Sequence, residues 1–115
     1  VDPVAIGVLG RENARMETPV GESTDDAAFV AALQAGDRAA FERLVRDYGA
    51  RMFAVALRMM RDEATAQDCL QDAFLSVHRA IARYEPHGSL VGWLHRITVN
   101  ACLMRLRATK RLAET

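Results

Sequence analysis

The chain has 115 residues, half of them hydrophobic, 26% charged and only 6% aromatic, which is material for one domain with an aliphatic core. No apolar run approaches the roughly 18 residues that span a bilayer, and the N-terminus lacks the basic start and apolar stretch of a secretory signal, so no membrane partner is expected. The two cysteines, Cys69 and Cys102, make neither a C-x-x-C pair nor a disulfide framework, and a reducing cytoplasm is the setting they fit.

Residues 1–23 keep no period and are punctuated by Gly, Pro, Glu, Ser and Thr; they read as a flexible leader. Thr24 or Asp25 is placed to cap a short helix through Phe29, Val30 and Leu33 that stops at Gly36. Asp37 caps a long helix in which Phe41, Leu44, Val45, Tyr48, Met52, Val55, Ala56 and Met59 recur at three- and four-residue steps, ending near Arg61 and Asp62. A third helix is predicted from about Glu63 to Tyr84, with Ala66, Leu70, Ala73, Phe74, Val77, Ile81 and Tyr84 in one stripe. The run Glu85-Pro86-His87-Gly88 cannot continue it and must turn. Ser89 then caps a last helix to about Arg111, with Leu90, Trp93, Leu94, Ile97, Ala101 and Met104 facing inward. No segment alternates like a strand and no repeat is visible. The expectation is an all-α fold, a compact bundle of about four helices with short connections over residues 24–112.

Net charge is zero, but it is unevenly spread. Residues 1–72 carry 13 acids and eight bases, whereas residues 73–115 carry two acids and seven bases. From Pro86 to Ala113 there is no Asp or Glu, while Arg96, Arg105, Arg107, Lys110 and Arg111 all lie there. A polyanion partner accounts for this, and so does a solvated helix end whose bases complement the dipole.

Two faces carry more than core and solvent require. At about 100° per residue, Asp68, Gln71, Asp72, Leu75 and Arg79 share the face of the third helix opposite Leu70 and Val77. One exposed leucine needs no explanation. A leucine among two acids, an amide and an arginine makes an apolar anchor with a polar rim, the pattern of a protein docking site. On the last helix Arg96, Asn100, Leu103 and Arg107 run beside the core stripe, with Trp93 at its edge. Arginines hold phosphates, an asparagine reads a base edge, and a Gly-containing loop closes over an unstacked base. Trp93 sits at core spacing, so packing is its first role and stacking the alternative.

Three motifs, in order, carry a resemblance. Gly36-Asp37 with Ala40-Phe41 fits G-D-x-x-A-F, and Asp68-Cys69-Leu70-Gln71-Asp72-Ala73-Phe74 fits D-x-x-Q-[DE]-x-F. Gly92-Trp93-Leu94-His95-Arg96-Ile97, followed by Val99-Asn100, fits W-L-x-R-I-x-x-N. Running from Gly36 to Asn100, they resemble the signatures of extracytoplasmic-function (ECF) sigma factors in order and spacing, a likeness that covers roughly residues 25–111 and falls within the family's conserved second region. The resemblance implies docking on the coiled-coil clamp helices of the largest subunit of core RNA polymerase. It also implies recognition and opening of the promoter minus-ten element through its non-template single strand, with an anti-sigma factor as a further expected partner. Carried over by position, the docking face falls on Asp68, Gln71, Asp72, Phe74, Leu75 and Arg79, although the spacing of Phe74 puts it in the core. The loop that captures a flipped base falls on Tyr84, Glu85, Pro86, His87, Gly88 and Ser89, with Ala80 and Asn100 lining its base. Arg96, Arg105, Arg107, Lys110 and Arg111 fall along DNA phosphates, with Leu103 on the DNA side.

Two departures stand out. The family's N-x-x-x-D-x-x-R pattern has Met104 at its Asp, with Arg107 retained, so that carboxylate is not there to pair with an arginine. Complete members also carry a second, helix-turn-helix domain for the minus-thirty-five element. With residues 113–115 reading as the start of a linker, an isolated domain or a truncated product is expected.

Two other classes stand beside this reading. A helical interaction module would use the Leu75 face and never meet DNA, against which the basic last helix and its loop argue. A metal protein or enzyme would use His78, His87 and His95, but these lie on two helices and a loop without the i,i+4 spacing of a helical zinc pair. With no phosphate-binding glycine loop or nucleophile elbow, no cofactor, metal site or catalytic residue is expected.

Overall fold

The computed structural model of the chain describes residues 24–85 and 88–114, the side chains of Thr24 and Asp25 excepted. The expected leader, the two cap candidates' side chains, and Pro86 and His87 of the expected loop lie outside the described residues. Four α-helices and one 3₁₀ turn account for most of the rest, and local chemistry sets each boundary. The first helix, α1 (Thr24–Gln34), stops at Gly36, whose φ of +81° is easy only for glycine. The N–H of Gly36 donates to the Leu33 carbonyl and that of Asp37 to the Ala32 carbonyl, closing the helix end. Asp37 is extended, and its Oδ1 accepts the N–H of Ala39 at 2.9 Å, so it caps α2 (Arg38–Met60) as expected. Arg61 ends α2 in the left-handed region at φ +60°, its N–H bonded to the Leu57 carbonyl at 2.8 Å. Asp62 then caps α3 (Glu63–Ala80) through Oδ2, which accepts from both the N–H and the hydroxyl of Thr65.

The third helix is shorter than its stripe implies. It gives way at Ala80 to a 3₁₀ turn, Ile81–Arg83, although Ile81 is buried and Tyr84 partly so. The cause is partly local: Glu85 precedes Pro86, which disfavours the helical conformation there. It is also tertiary. Gln34 at the end of α1 donates from Nε2 to the carbonyls of Ile81 and Tyr84, 3.1 Å each, giving them a partner outside their own segment. The last helix, α4 (Leu90–Glu114), is capped by Ser89, whose Oγ accepts the Gly92 N–H at 2.9 Å. It runs past Arg111, so the expected start of a linker at 113 is still helical through Glu114.

The core lies where α2, α3 and α4 pack on one another, and α1 straps across α2 and the 3₁₀ turn. Leu33, Leu44, Leu70, Val77 and Leu94 are almost wholly removed from water, each contributing about 1.5–3 kcal/mol relative to exposure. Phe29 of α1 stacks on Tyr48 of α2 at 6.2 Å, and the Arg43 guanidinium sits 4.4 Å above the Phe29 ring. Burial raises the Tyr48 hydroxyl above its ordinary range, and the charge of Asp26 adds to it.

One inward assignment on α4 is corrected. Met104 is 67% exposed, while Thr98 and Cys102 are fully buried. The inner line of α4 runs Leu90, Leu94, Thr98, Ala101 and Cys102, and Met104 is about 200° around from Cys102. Thr98 reads as polar in the sequence, but its hydroxyl donates to the Leu94 carbonyl one turn back at 2.8 Å, leaving its methyl for the core. Trp93 and Ile97 are half-buried against the core's edge.

Candidate polymerase and nucleic-acid interfaces

The outer face of α3 forms as its spacing implies. Leu75 is 54% exposed, Asp68 and Arg79 are exposed, Gln71 and Asp72 are half-buried, and Phe74 is in the core. Asp72 is also an acceptor across the helix seam. Its Oδ2 takes a hydrogen bond from Arg105 Nη2 of α4 at 2.7 Å, and that bond raises the arginine's pKa further. Below the pair, Cys69 and Cys102 are buried; burial pushes the Cys102 thiol up to about 12 and raises Cys69 as well. Both behave as small apolar residues.

The position of Arg105 follows from helical geometry. Counting about 100° per residue from Arg96, Asn100, Leu103, Arg107, Lys110 and Arg111 all fall within about 60°, on one side of α4. Arg105 falls about 180° away, on the continuation of the inner line through Leu94, Thr98 and Ala101. Its side chain lies over the α3–α4 seam, and its Nε is buried without a hydrogen-bond partner among the described residues. A half-exposed ion pair contributes about 0.2–1 kcal/mol. An unpaired buried N–H costs about 1–3 kcal/mol, so stability alone does not select this arrangement. The resemblance places Arg105 along phosphates with its neighbours; here it lies on the other side of α4 from them and reaches Asp72.

The remaining bases are displayed to solvent: Arg96, Arg107, Lys110 and Arg111 are exposed, as is Asn100, with Leu103 half-buried beside them. The loop that precedes α4 is anchored at both ends. Tyr84 leans on Trp93 with ring centroids 4.7 Å apart at 54°, and Gln34 holds the Ile81 and Tyr84 carbonyls. Gly88 has φ +96°, a conformation a side chain would strain, and Ser89 closes the turn as the α4 cap. Ala80 is half-buried and Glu85 exposed. Trp93 therefore serves packing and loop placement at once. Gln34 was not visible as a site residue, since a glutamine at a helix end carries no pattern.

The histidines fall into separate surroundings. His78 meets the edge of Phe41 at 5.1 Å, and His95 borders a groove of about 280 Å³ between α2 and α4. That groove has Met52 and Leu94 in its lining together with Arg51, Arg58 and His95, and no acid. Among the described residues, no group of three His, Cys, Asp or Glu is placed to hold a metal, and no helix is long and apolar enough to cross a membrane.

Residues 44–112 match the Sigma-70 region 2 family. The chain belongs to that family. Several of its relatives are ECF sigma factors, the type the motifs resemble. Over 85 residues this region 2 is 45% identical to the ECF RNA polymerase sigma factor SigM of Mycobacterium tuberculosis, covering 74% of the chain and 43% of SigM. Over 97 residues it is 37% identical to the ECF RNA polymerase sigma factor SigE of Mycolicibacterium smegmatis, covering 82% of the chain and 36% of that protein. The chain thus spans less than half the length of these curated relatives. Among solved structures it is similar to an engineered region 2 of sigmaE in complex with GTAAAA. The TM-score is 0.72 at 29% identity, covering 82% of this chain and all of that one.

Proposed function

We propose that this region 2 docks on core RNA polymerase in the cytoplasm, and recognises and helps open the promoter minus-ten element during transcription initiation. The observation that carries the reading is the basic outer side of α4, where Arg96, Asn100, Arg107, Lys110 and Arg111 meet no acid before Glu114 at the helix end, beside a loop pinned by Tyr84, Trp93 and Gln34. A sigma region of the same fold was solved with the oligonucleotide GTAAAA, which supports the same use here. The α3 stripe of Asp68, Gln71, Asp72, Leu75 and Arg79 docks on the clamp helices of the largest subunit, Leu75 as the apolar anchor and the rest as rim. Residues Tyr84–Ser89, with Ala80 and Asn100 beneath, take a base of the non-template strand. Extruding a base costs a few kcal/mol, less once the promoter has begun to open, and stacking and edge contacts offset that. Arg96, Arg107, Lys110 and Arg111 lie along phosphates, with Leu103 on the same side. The α2–α4 groove, which combines apolar lining such as Met52 and Leu94 with Arg51 and Arg58, suits an acidic amphipathic helix, the chemistry with which an anti-sigma factor would hold the domain.

The test is a titration of core polymerase with the chain, followed by binding of minus-ten fork-junction DNA to the assembled complex. Leu75→Ala should weaken polymerase binding by about 1–2 kcal/mol with helix content unchanged, as truncating an interface anchor does. In the same complex Asn100→Ala should reduce discrimination at one minus-ten base by about 1–3 kcal/mol. Unaltered polymerase affinity removes the docking assignment. Polymerase binding without any promoter binding leaves a protein-interaction module.

A further inference from the structure

We infer that Arg105 is a positioning residue of the polymerase-docking face, holding the Asp72 carboxylate in place, and does not touch DNA. The inference rests on the docking role proposed for α3. Three observations lead to it. Arg105 reaches across from α4 to place Nη2 2.7 Å from Asp72 Oδ2, joining residues 33 apart in the chain. It lies on the opposite side of α4 from Arg96, Arg107, Lys110 and Arg111, so DNA that follows those four runs away from it. Its Nε is buried beside the α3–α4 seam, so the stem of the side chain is committed to the crossing toward Asp72.

The Asp72 side chain is still 45% exposed. A carboxylate has about four acceptor sites on two oxygens. Arg105 occupies Oδ2, and the exposed remainder of the group is left for a donor on the partner. Docking then meets a carboxylate already confined to one geometry, and less side-chain freedom is lost on binding. The buried Nε finds its explanation in the same geometry. An arginine on the inner line of α4 reaches the edge of α3 only by lying over the seam, where no acceptor faces Nε. The position is tuned for Asp72 and not for the arginine's own satisfaction.

The test is a double-mutant cycle read as the Kd for core polymerase, alongside the salt dependence of promoter binding by the assembled complex. Arg105→Ala should weaken polymerase binding roughly three- to tenfold, Asp72→Ala by a similar factor, and the double variant no more than Asp72→Ala alone. Arg105→Lys should recover part of the loss. The salt slope of DNA binding should stay that of the parent in Arg105→Ala. Circular dichroism before each titration confirms folding, and if Arg105→Ala does not fold, Arg105→Gln takes its place in the cycle. An unchanged polymerase Kd with a salt slope flattened by about one unit would make Arg105 a phosphate contact and overturn the inference. Additive losses would show that it does not act through Asp72, and tighter polymerase binding would show that it masks Asp72; either overturns it too. Leu75→Ala separates the two layers. If Leu75→Ala weakens polymerase binding and Arg105→Ala does not, only this inference fails. If neither does, the docking face itself is wrong and the inference falls with it.

Discussion

Tyr84 and Trp93 lie with ring centroids 4.7 Å apart, one at the end of the 3₁₀ turn and the other in the first turn of α4. The contact joins the two ends of the loop directly, so the loop's span is fixed by a pair of rings. Trp93→Ala removes that contact together with a half-buried indole, and should lower unfolding stability by about 2 kcal/mol in urea denaturation. Polymerase affinity should be nearly retained, because the α3 stripe is elsewhere, while minus-ten discrimination falls. Trp93→Phe should restore most of both. Discrimination that survives Trp93→Ala would show that the loop does not depend on its anchor.

The exposed bases of α4 make an electrostatic prediction. Arg107→Ala should flatten the dependence of log K on log salt by about one unit in the polymerase-bound state. The effect should be equal for matched and mutated promoters, since phosphates carry no sequence. A loss restricted to one promoter sequence would instead make Arg107 a reader of bases.

Acid should loosen the start of α3. The Thr65 hydroxyl and N–H hold the Asp62 carboxyl below its ordinary range. A carboxylate whose pKa is lower in the folded chain stabilises fully above its unfolded value of about 4, and that contribution disappears as pH falls through the folded value. Thermal melts from pH 5 downward should therefore show a declining melting temperature that Asp62→Asn makes shallower, since the amide still caps but does not titrate. An identical acid limb in the two proteins would place the sensitivity at other carboxylates.

Capping chemistry and the apolar period were enough to place α2 and the starts of α3 and α4 from sequence. Asp37 and Ser89 announce their helices locally, and the Leu44, Leu70 and Leu94 lines have few alternatives. The positions that local pattern does not give are those set by other parts of the chain. The change to a 3₁₀ turn at Ile81 depends partly on Gln34, some fifty residues away, which no local window contains. Met104 was drawn inward by hydrophobicity, although Thr98 and Cys102 hold the inner line. For Arg105, the angular arithmetic that put Leu75 on the outside would have put it on the inside. Resemblance groups it with its charged neighbours, and its contact with Asp72 becomes apparent only once α3 and α4 are packed together.

The unbroken run of α3 from the Leu75 stripe to Ala80 has a mechanical consequence. Between those residues the helix turns about 140° and rises about 7.5 Å, with no hinge to absorb a change. Whatever grips the stripe therefore sets the phase at which the loop is presented. One residue inserted between them would swing the loop by about 100° while lifting it only about 1.5 Å. This segment therefore fixes an angle far more strictly than a distance, and its length matters more than its rise.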